Sequence, residues 1–315
     1  MESAVSASRA TLPPAMRLNH IVVGTDLSES SEHALARGVL LAVEHDARLT
    51  LAHVVPRSLW DDVGAPLAAL LDVEAMSTNA ACVDVTAQLQ RRADEITAQQ
   101  GLHCSVQVVV GRPAVELARL AATARADLLV VGAHGAHPVR DLLGTTAQKL
   151  LRLAPCPVLV VKRPLPFEYS RVLAPTDFSA QATAALQATA ALLPRAHLAI
   201  AHAFELPYDG LMRHATVSDA AIAHYQAIAR ERLGLDLAAW ADAAGIAAAR
   251  RTLLVEHGYP ASCIDRWIAG RGIDLVALAA RGKSEIEATL LGSVSLHTVQ
   301  AAPCDVLLLR GSALA

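Results

Sequence analysis

Aromatic side chains are scarce in this chain: Phe, Tyr and Trp together make up 3% of its 315 residues. Its cores must therefore be built from Ala, Val and Leu, which the 53% hydrophobic content supplies. Net charge is small, −3 at pH 7, so no global basic field favours nucleic acid or an anionic membrane surface, and any anion site must be local. No apolar run approaches the roughly 18 residues of a membrane span. The five cysteines, Cys82, Cys104, Cys156, Cys263 and Cys304, are an odd set without CxxC spacing. That argues against a disulfide framework or a zinc site and for the reducing cytoplasm. The opening segment MESAVSASRATLPPAMRL lacks both a basic start and an apolar core, so the expectation for residues 1–16 is a flexible tail rather than a secretory signal.

What is present is a repeat. Leu275 to Arg310 reads as a buried strand, a small-residue turn, a loop ending in Gly292-Ser293, a helix, and a second strand after Ala-Pro-Cys. A near copy runs from Leu128 to Lys162 and carries Gly144-Thr145 at the same place. Apolar runs of four to six residues without polar alternation suit parallel strands covered on both faces. Small residues follow the first strand of each copy, Gly132 and Gly135 in one, Ala279 and Gly282 in the other. They let a ligand approach the backbone, and glycine adds access to positive φ. The start of the helix that follows offers unpaired N–H groups and a positive dipole end, which suits phosphate.

The segments ahead of these units repeat as well. HIVVGTDLSESSEHALARGVLLAVEHDARLTLAHVVP is answered by RVLAPTDFSAQATAALQATAALLPRAHLAIAHAFELP, so that Asp26 matches Asp177, Ser28 matches Ser179 and His53 matches His202. Each opens on a buried strand, turns at Asp-x-Ser with serine as helix N-cap material, and continues through an amphipathic helix to a strand. Helical segments at LQRRADEITAQQ and IAHYQAIARERLGLDLAAWADAA come next. Short strands follow, SVQVVV and RTLLVE, and then Pro113 and Pro260 at the favoured first position of a helix. Strands alternating with helices imply a parallel sheet with right-handed crossovers. The reading is therefore α/β: two repeated, open, mostly parallel five-stranded sheets with helices on both faces, over residues 17–162 and 171–311, joined by a Pro-rich linker at 163–170. In such sheets ligands sit at the carboxyl ends of strands, where the winding reverses.

This ordered set, present twice, resembles the universal stress protein family in its tandem two-domain form. It comprises GTDLS and APTDFS, the His53-Val54 and His202-Ala203 strand ends, the Gly-x-Pro turns, and LLGTT or LLGSV followed by APC and a terminal strand. The resemblance covers nearly the whole chain. It implies a Rossmann-like fold, a cytoplasmic role in stress response or signalling, and ATP, with or without Mg2+, as cofactor. The ATP-binding branch carries Gly-x2-Gly-x9-Gly-Ser/Thr. The second copy keeps the nine-residue spacing but has Ala279 for the first glycine, whereas the first copy keeps Gly132 and Gly135 but has only eight residues before Gly144-Thr145. Carried across, the resemblance implies an adenine contact from Asp26 and Asp177, completed by the backbone at Val54 and Ala203. The triphosphate would lie against Gly132, Gly135, Gly144, Thr145 and Thr146 in one half. In the other it would meet Gly282, Gly292, Ser293 and Val294, with Ala279 in the altered position. His134, His137 and Arg140, or Arg281 and Lys283, would add polar or positive groups. The family also implies that the terminal strands, Val158 to Val161 and Val306 to Leu309, pair about a two-fold axis within one chain as a pseudo-dimer. A further homodimer is left open.

Plainer roles compete for the same residues. Asp26 and Asp177 equally suit turn-forming or capping aspartates, and Gly144-Thr145 and Gly292-Ser293 equally suit helix caps. His53 and His202 read as strand-end packing, Cys156 and Cys304 as small core residues, and Arg91-Arg92 and Arg230-Glu231-Arg232 as solvated helix faces. The chain has no GxxxxGK[ST] loop, no Ser-Gly-Gly turn and no acid/base pair clustered with a histidine. Three functions therefore stand beside one another: an ATP-binding stress or signalling protein, a slow ATPase, and a nucleotide-free interaction scaffold of the same fold.

Overall fold

The computed structural model describes residues 18–56, 78–135, 143–164, 167–206, 218–280 and 291–310. The expected tail and the loop residues His137, Arg140, Arg281, Gly282 and Lys283 lie outside them. In the first half the chain runs β1 (His20–Gly24), α1 (Glu29–His45), β2 (Arg48–Val55), α2 (Thr78–Gln100) and β3 (Cys104–Val110), then α3 (Pro113–Thr123), β4 (Leu128–Gly132), α4 (Thr145–Leu153) and β5 (Val158–Val161). The second half answers with β6 (Arg171–Pro175), α5 (Ala180–Leu192), β7 (His197–Phe204), α6 (Asp219–Ala243) and β8 (Arg251–His257), then α7 (Pro260–Arg271), β9 (Leu275–Ala279), α8 (Ser293–Ala301) and β10 (Asp305–Leu309).

All ten strands form one open sheet in the order β3-β2-β1-β4-β5-β10-β9-β6-β7-β8. Within each half every pairing is parallel. The halves meet where β5 and β10 pair antiparallel, Val306 opposite Val160 and Leu308 opposite Val158. In the first half the chain winds from β1 through β2 to β3 and then returns to the other side of β1 as β4. The reversal lies between β1 and β4, and the matching one between β6 and β9.

The period-two alternation of strand side chains divides the core into two layers, one on each face of the sheet. Ile21 and Val23 of β1, Leu128 and Val130 of β4, and Leu307 and Leu309 of β10 belong to one layer, packed under α1, α2, α5 and α6. Val22, Leu129, Val131, Val306 and Leu308 belong to the other, under α3, α4, α7 and α8. Each layer runs unbroken across both halves, so the sheet is one hydrophobic body rather than two touching ones.

Polar groups secure this seam. Lys162, just past β5, donates from Nζ to the carbonyl of Ala302 at 2.6 Å, at the end of α8 in the opposite half. Arg310, just past β10, donates to Leu151, Arg152 and Ala154 carbonyls at 2.9, 2.7 and 3.1 Å, at the end of α4. Each cation thus satisfies the orphan carbonyls, and the negative dipole end, of the other half's last helix. Burial pushes the Lys162 ammonium down to about 8. One contact has no counterpart. Asp305, fully buried, stands where the first half has Pro157. It accepts from the Lys162 N–H at 2.8 Å and from the Tyr169 hydroxyl at 2.6 Å. Arg37 of α1, 2% exposed, lies 3.9 Å from the same carboxylate and 3.9 Å above the Tyr169 ring. Burial drives the Asp305 carboxyl above its ordinary range, opposed by the Tyr169 hydrogen bond.

Candidate functional site

At the carboxyl end of β1 the chain makes a tight turn, Thr25-Asp26-Leu27-Ser28, before α1. Asp26 accepts the Ser28 N–H at 3.1 Å, Thr25 accepts the Leu27 N–H at 3.1 Å, and Ser28 accepts the Ser31 N–H at 3.3 Å as N-cap. Leu27 is thereby held at φ 63°, a left-handed conformation costing a non-glycine residue roughly 1–2 kcal/mol. The second half repeats these three bonds. Asp177 accepts from Ser179 N–H at 3.0 Å, Thr176 from Phe178 N–H at 2.9 Å, and Ser179 from Ala182 N–H at 3.1 Å, with Phe178 at φ 61°. Asp26 and Asp177 are therefore turn-forming residues, and the turn sets each carboxylate at the mouth of the sheet's reversal point.

The end of β4 closes the other side. Ala133 bonds back to Val161 at 2.8 Å, and the Gly144 N–H reaches the Ala133 carbonyl at 2.7 Å. That bond fixes the start of α4 beside the Gly132 turn. Gly144 is the N-cap and provides no side-chain cap. In α8 the same holds of Gly292, whose N–H reaches the Ala280 carbonyl at 3.2 Å. Contrast the serine caps: Ser28, Ser179 and Ser218 each satisfy an orphan donor of α1, α5 and α6. The glycine-capped helices instead have no side-chain cap, and their first-turn residues Thr145, Thr146, Ser293 and Val294 line the cleft.

The glycines work differently from the sequence expectation. None of Gly132, Gly135 and Gly144 adopts positive φ. At Gly132 an added Cβ would come within 2.7 Å of the Ser30 carbonyl oxygen. What excludes a side chain there is the start of α1, and Ala279 in the second half is first a matter of helix–strand spacing rather than of phosphate clearance. Among the described residues, the atom added at Gly135 would meet only Asp26 Oδ2, at 3.0 Å, so that glycine keeps the space beside the carboxylate open.

Two cavities result. The first is lined by Asp26, Val54, Gly132, Gly135, Gly144, Thr145 and Thr146, with a volume of about 580 Å³. The second, lined by Asp177, Ala203, Ala279, Gly292, Ser293 and Val294, measures about 270 Å³. Gly282, like His137, Arg140, Arg281 and Lys283, lies outside the described residues; the other residues expected to touch adenine or triphosphate fall on one of these two walls. Small-molecule sites commonly measure roughly 300–1,000 Å³, so the first cavity lies well inside that range and the second just below it. Trp267 of α7 and Ile264 help wall the second cavity, and Pro175 and Ala182 replace Gly24 and Ser31 of the first.

His53 and His202 also line the cavities, a place that strand-end packing alone does not describe. Each ring Nδ1 lies 2.8 Å from a backbone carbonyl, Thr25 or Thr176. A carbonyl only accepts, so Nδ1 carries the proton and Nε2 is left as an acceptor when the ring is neutral. Burial pushes His53 below the ordinary histidine value, against the pull of the Thr25 carbonyl and of Asp26. The signal in the sequence was the recurrence of His at the same strand end in both halves. Among the described residues no group of three His, Cys, Asp or Glu side chains is gathered to hold a metal, and no helix is long and apolar enough to cross a membrane.

Comparison with known proteins agrees with this architecture. The profile of the universal stress protein family matches twice, over residues 17–162 and 168–310. A universal stress protein of Methanocaldococcus jannaschii is 31% identical over 145 residues, spanning 46% of this chain and 82% of its own. One from Mycolicibacterium smegmatis is 33% identical over 142 residues, 45% of this chain and 47% of that one. Among solved structures, a universal stress protein of Archaeoglobus fulgidus superposes with a TM-score of 0.64 at 21% identity, covering 93% of this chain and 98% of the other. A putative one from Pseudomonas aeruginosa gives 0.59 at 18%, covering 95% and 96%. At these identities the structural likeness speaks to the fold, while the doubled family match speaks to descent. The chain belongs to the universal stress protein family, whose unit it carries twice.

Proposed function

We propose that this protein is an ATP-binding stress-response protein in which nucleotide occupancy alters conformation or partner choice, and that the first half holds the principal site. The observation that carries this reading is the 580 Å³ cavity at the β1/β4 reversal, with a carboxylate on one wall and a glycine-capped helix start on the other. Asp26 accepts from the adenine amino group, and the Val54 backbone completes the purine contact. Gly132, Gly135, Gly144, Thr145 and Thr146 surround the triphosphate, which brings Mg2+ with it or binds without it. Donors at a helix start stabilise such an anion without a lysine. Asp177, Ala203, Ala279, Gly292, Ser293 and Val294 line the same design in less space, so the second site binds ATP more weakly. The antiparallel β5–β10 seam supports reading the two halves as an intramolecular pseudo-dimer, acting in the cytoplasm.

The test is direct. Protein denatured straight from purification should release adenine nucleotide, and calorimetry of stripped protein should show ATP binding dominated by one site. Absence of both would leave the nucleotide-free scaffold. Sustained phosphate release abolished by Gly135→Asp would instead favour the slow ATPase.

A further inference from the structure

The two long helices that cover equivalent positions, α2 and α6, present different faces to solvent. On α2 the exposed residues include Gln88, Arg91, Arg92, Asp94, Glu95 and Thr97 and a single large hydrophobic, Val83, and Arg92 is paired with Glu32 and Glu95. On α6 the inward face is apolar, with Ile222, Leu237 and Ala241 buried, yet the outward face carries Tyr225, Ile228 and Leu235, exposed by 54%, 51% and 69%. These three follow one another at spacings of three and seven along the chain, so they form a single stripe. Arg232 continues that row between Ile228 and Leu235, and Glu231 stands beside it; both are exposed.

A helix already anchored by one apolar face gains nothing within its own fold from a second. We propose that this outward face of α6 is a self-association surface, at which two copies of the chain pair antiparallel about a two-fold axis passing between Glu231 and Arg232. The pattern is its own complement under that operation. Ile228 falls opposite the partner's Leu235, Leu235 opposite the partner's Ile228, and Glu231 opposite the partner's Arg232, twice over. A closed isologous contact requires that kind of self-match, and the geometry is that of an antiparallel helix pair packed at 8–10 Å. Charges of both signs beside the stripe, Glu231 and Asp236 with Arg230 and Arg232, do not suit an anionic lipid surface. One helix pair is a small interface, so the association is weak and concentration-dependent.

The test is sedimentation velocity on the full chain from about 1 to 300 µM, a range suited to a small interface. Wild type should shift from monomer to dimer across the range. Ile228→Lys and Leu235→Lys should each remove the dimer, as should Glu231→Arg and Arg232→Glu singly, because each sets like charges across the axis. The double exchange Glu231→Arg with Arg232→Glu should restore it, an outcome that damage to folding would not produce. All four positions are exposed, and circular dichroism checks that each variant remains folded. A wild type monomeric at every concentration would overturn the proposal. So would a dimer indifferent to both lysine variants, or a double exchange no better than the singles. None of these outcomes depends on nucleotide.

Discussion

The two halves share a backbone plan but differ in what fills it. The first keeps Gly24, Ser31 and Gly132 around a cavity of about 580 Å³. The second places Pro175, Ala182, Ala279 and Trp267 around one of about 270 Å³. At the seam the difference reverses: Pro157 of the first half has no polar side chain, while Asp305 of the second collects Lys162, Tyr169 and Arg37. Duplication supplied two equal frames. Side chains then made one half the roomier pocket and the other the anchor of the junction.

That comparison can be broken most severely at the first cavity. Gly135→Asp puts a second carboxylate beside Asp26 and should lower ATP affinity at least about 100-fold, near 3 kcal/mol, by calorimetry. Gly292→Asp, in the smaller cavity, should leave the tight binding event unchanged. Equal losses from the two would mean that the halves do not differ as their volumes suggest.

Comparable in size is the anchor. Asp305→Ala leaves Arg37 buried without its carboxylate, and breaking a buried pair in this way costs about 3–5 kcal/mol, measurable in urea unfolding. Removing Pro157 by alanine should cost far less. Smaller again are the two cations that reach across the seam. Lys162→Met and Arg310→Met each delete charge-assisted bonds to helix-end carbonyls, worth about 1.5–3 kcal/mol. If the seam is as symmetric as their geometry, the two losses should be similar.

The smallest effect is a pH dependence. Burial lowers His53, so the folded state holds its proton less tightly than the unfolded one. The stability from the neutral ring is fully present above the ordinary histidine value and is lost as pH falls through the lower folded value. The ring is only partly buried, so screening keeps this below about 1 kcal/mol. His53→Gln should flatten the acid side of the unfolding-midpoint curve. An unchanged slope would assign the acid sensitivity elsewhere.

Much of this was legible in residue order. Pro113 and Pro260 opened helices where their ring geometry favours it, and Val158 to Val161 formed β5. Asp26 and Asp177 were readable as turn residues, and Gly144 and Gly292 as helix caps. The purpose of the glycines was not. A run such as Gly132-x2-Gly135 does not say whether a missing side chain makes room for a ligand or for the backbone of α1. Here it is α1 at the first position and the space beside Asp26 at the second. His53 was readable only as a strand-end residue, because the Thr25 carbonyl that holds its ring lies 28 residues away.

By itself the sequence determined the duplication, the alternation of strand and helix, and the residues that end each strand, because these rest on local periodicity and on repeats along the chain. Tertiary structure alone decided that ten strands share one sheet, that Asp305 meets Arg37 from the other half, and that the two matching cavities differ in volume. Those outcomes depend on which surfaces meet across more than a hundred residues. Distances of that kind exist only once the chain has closed upon itself.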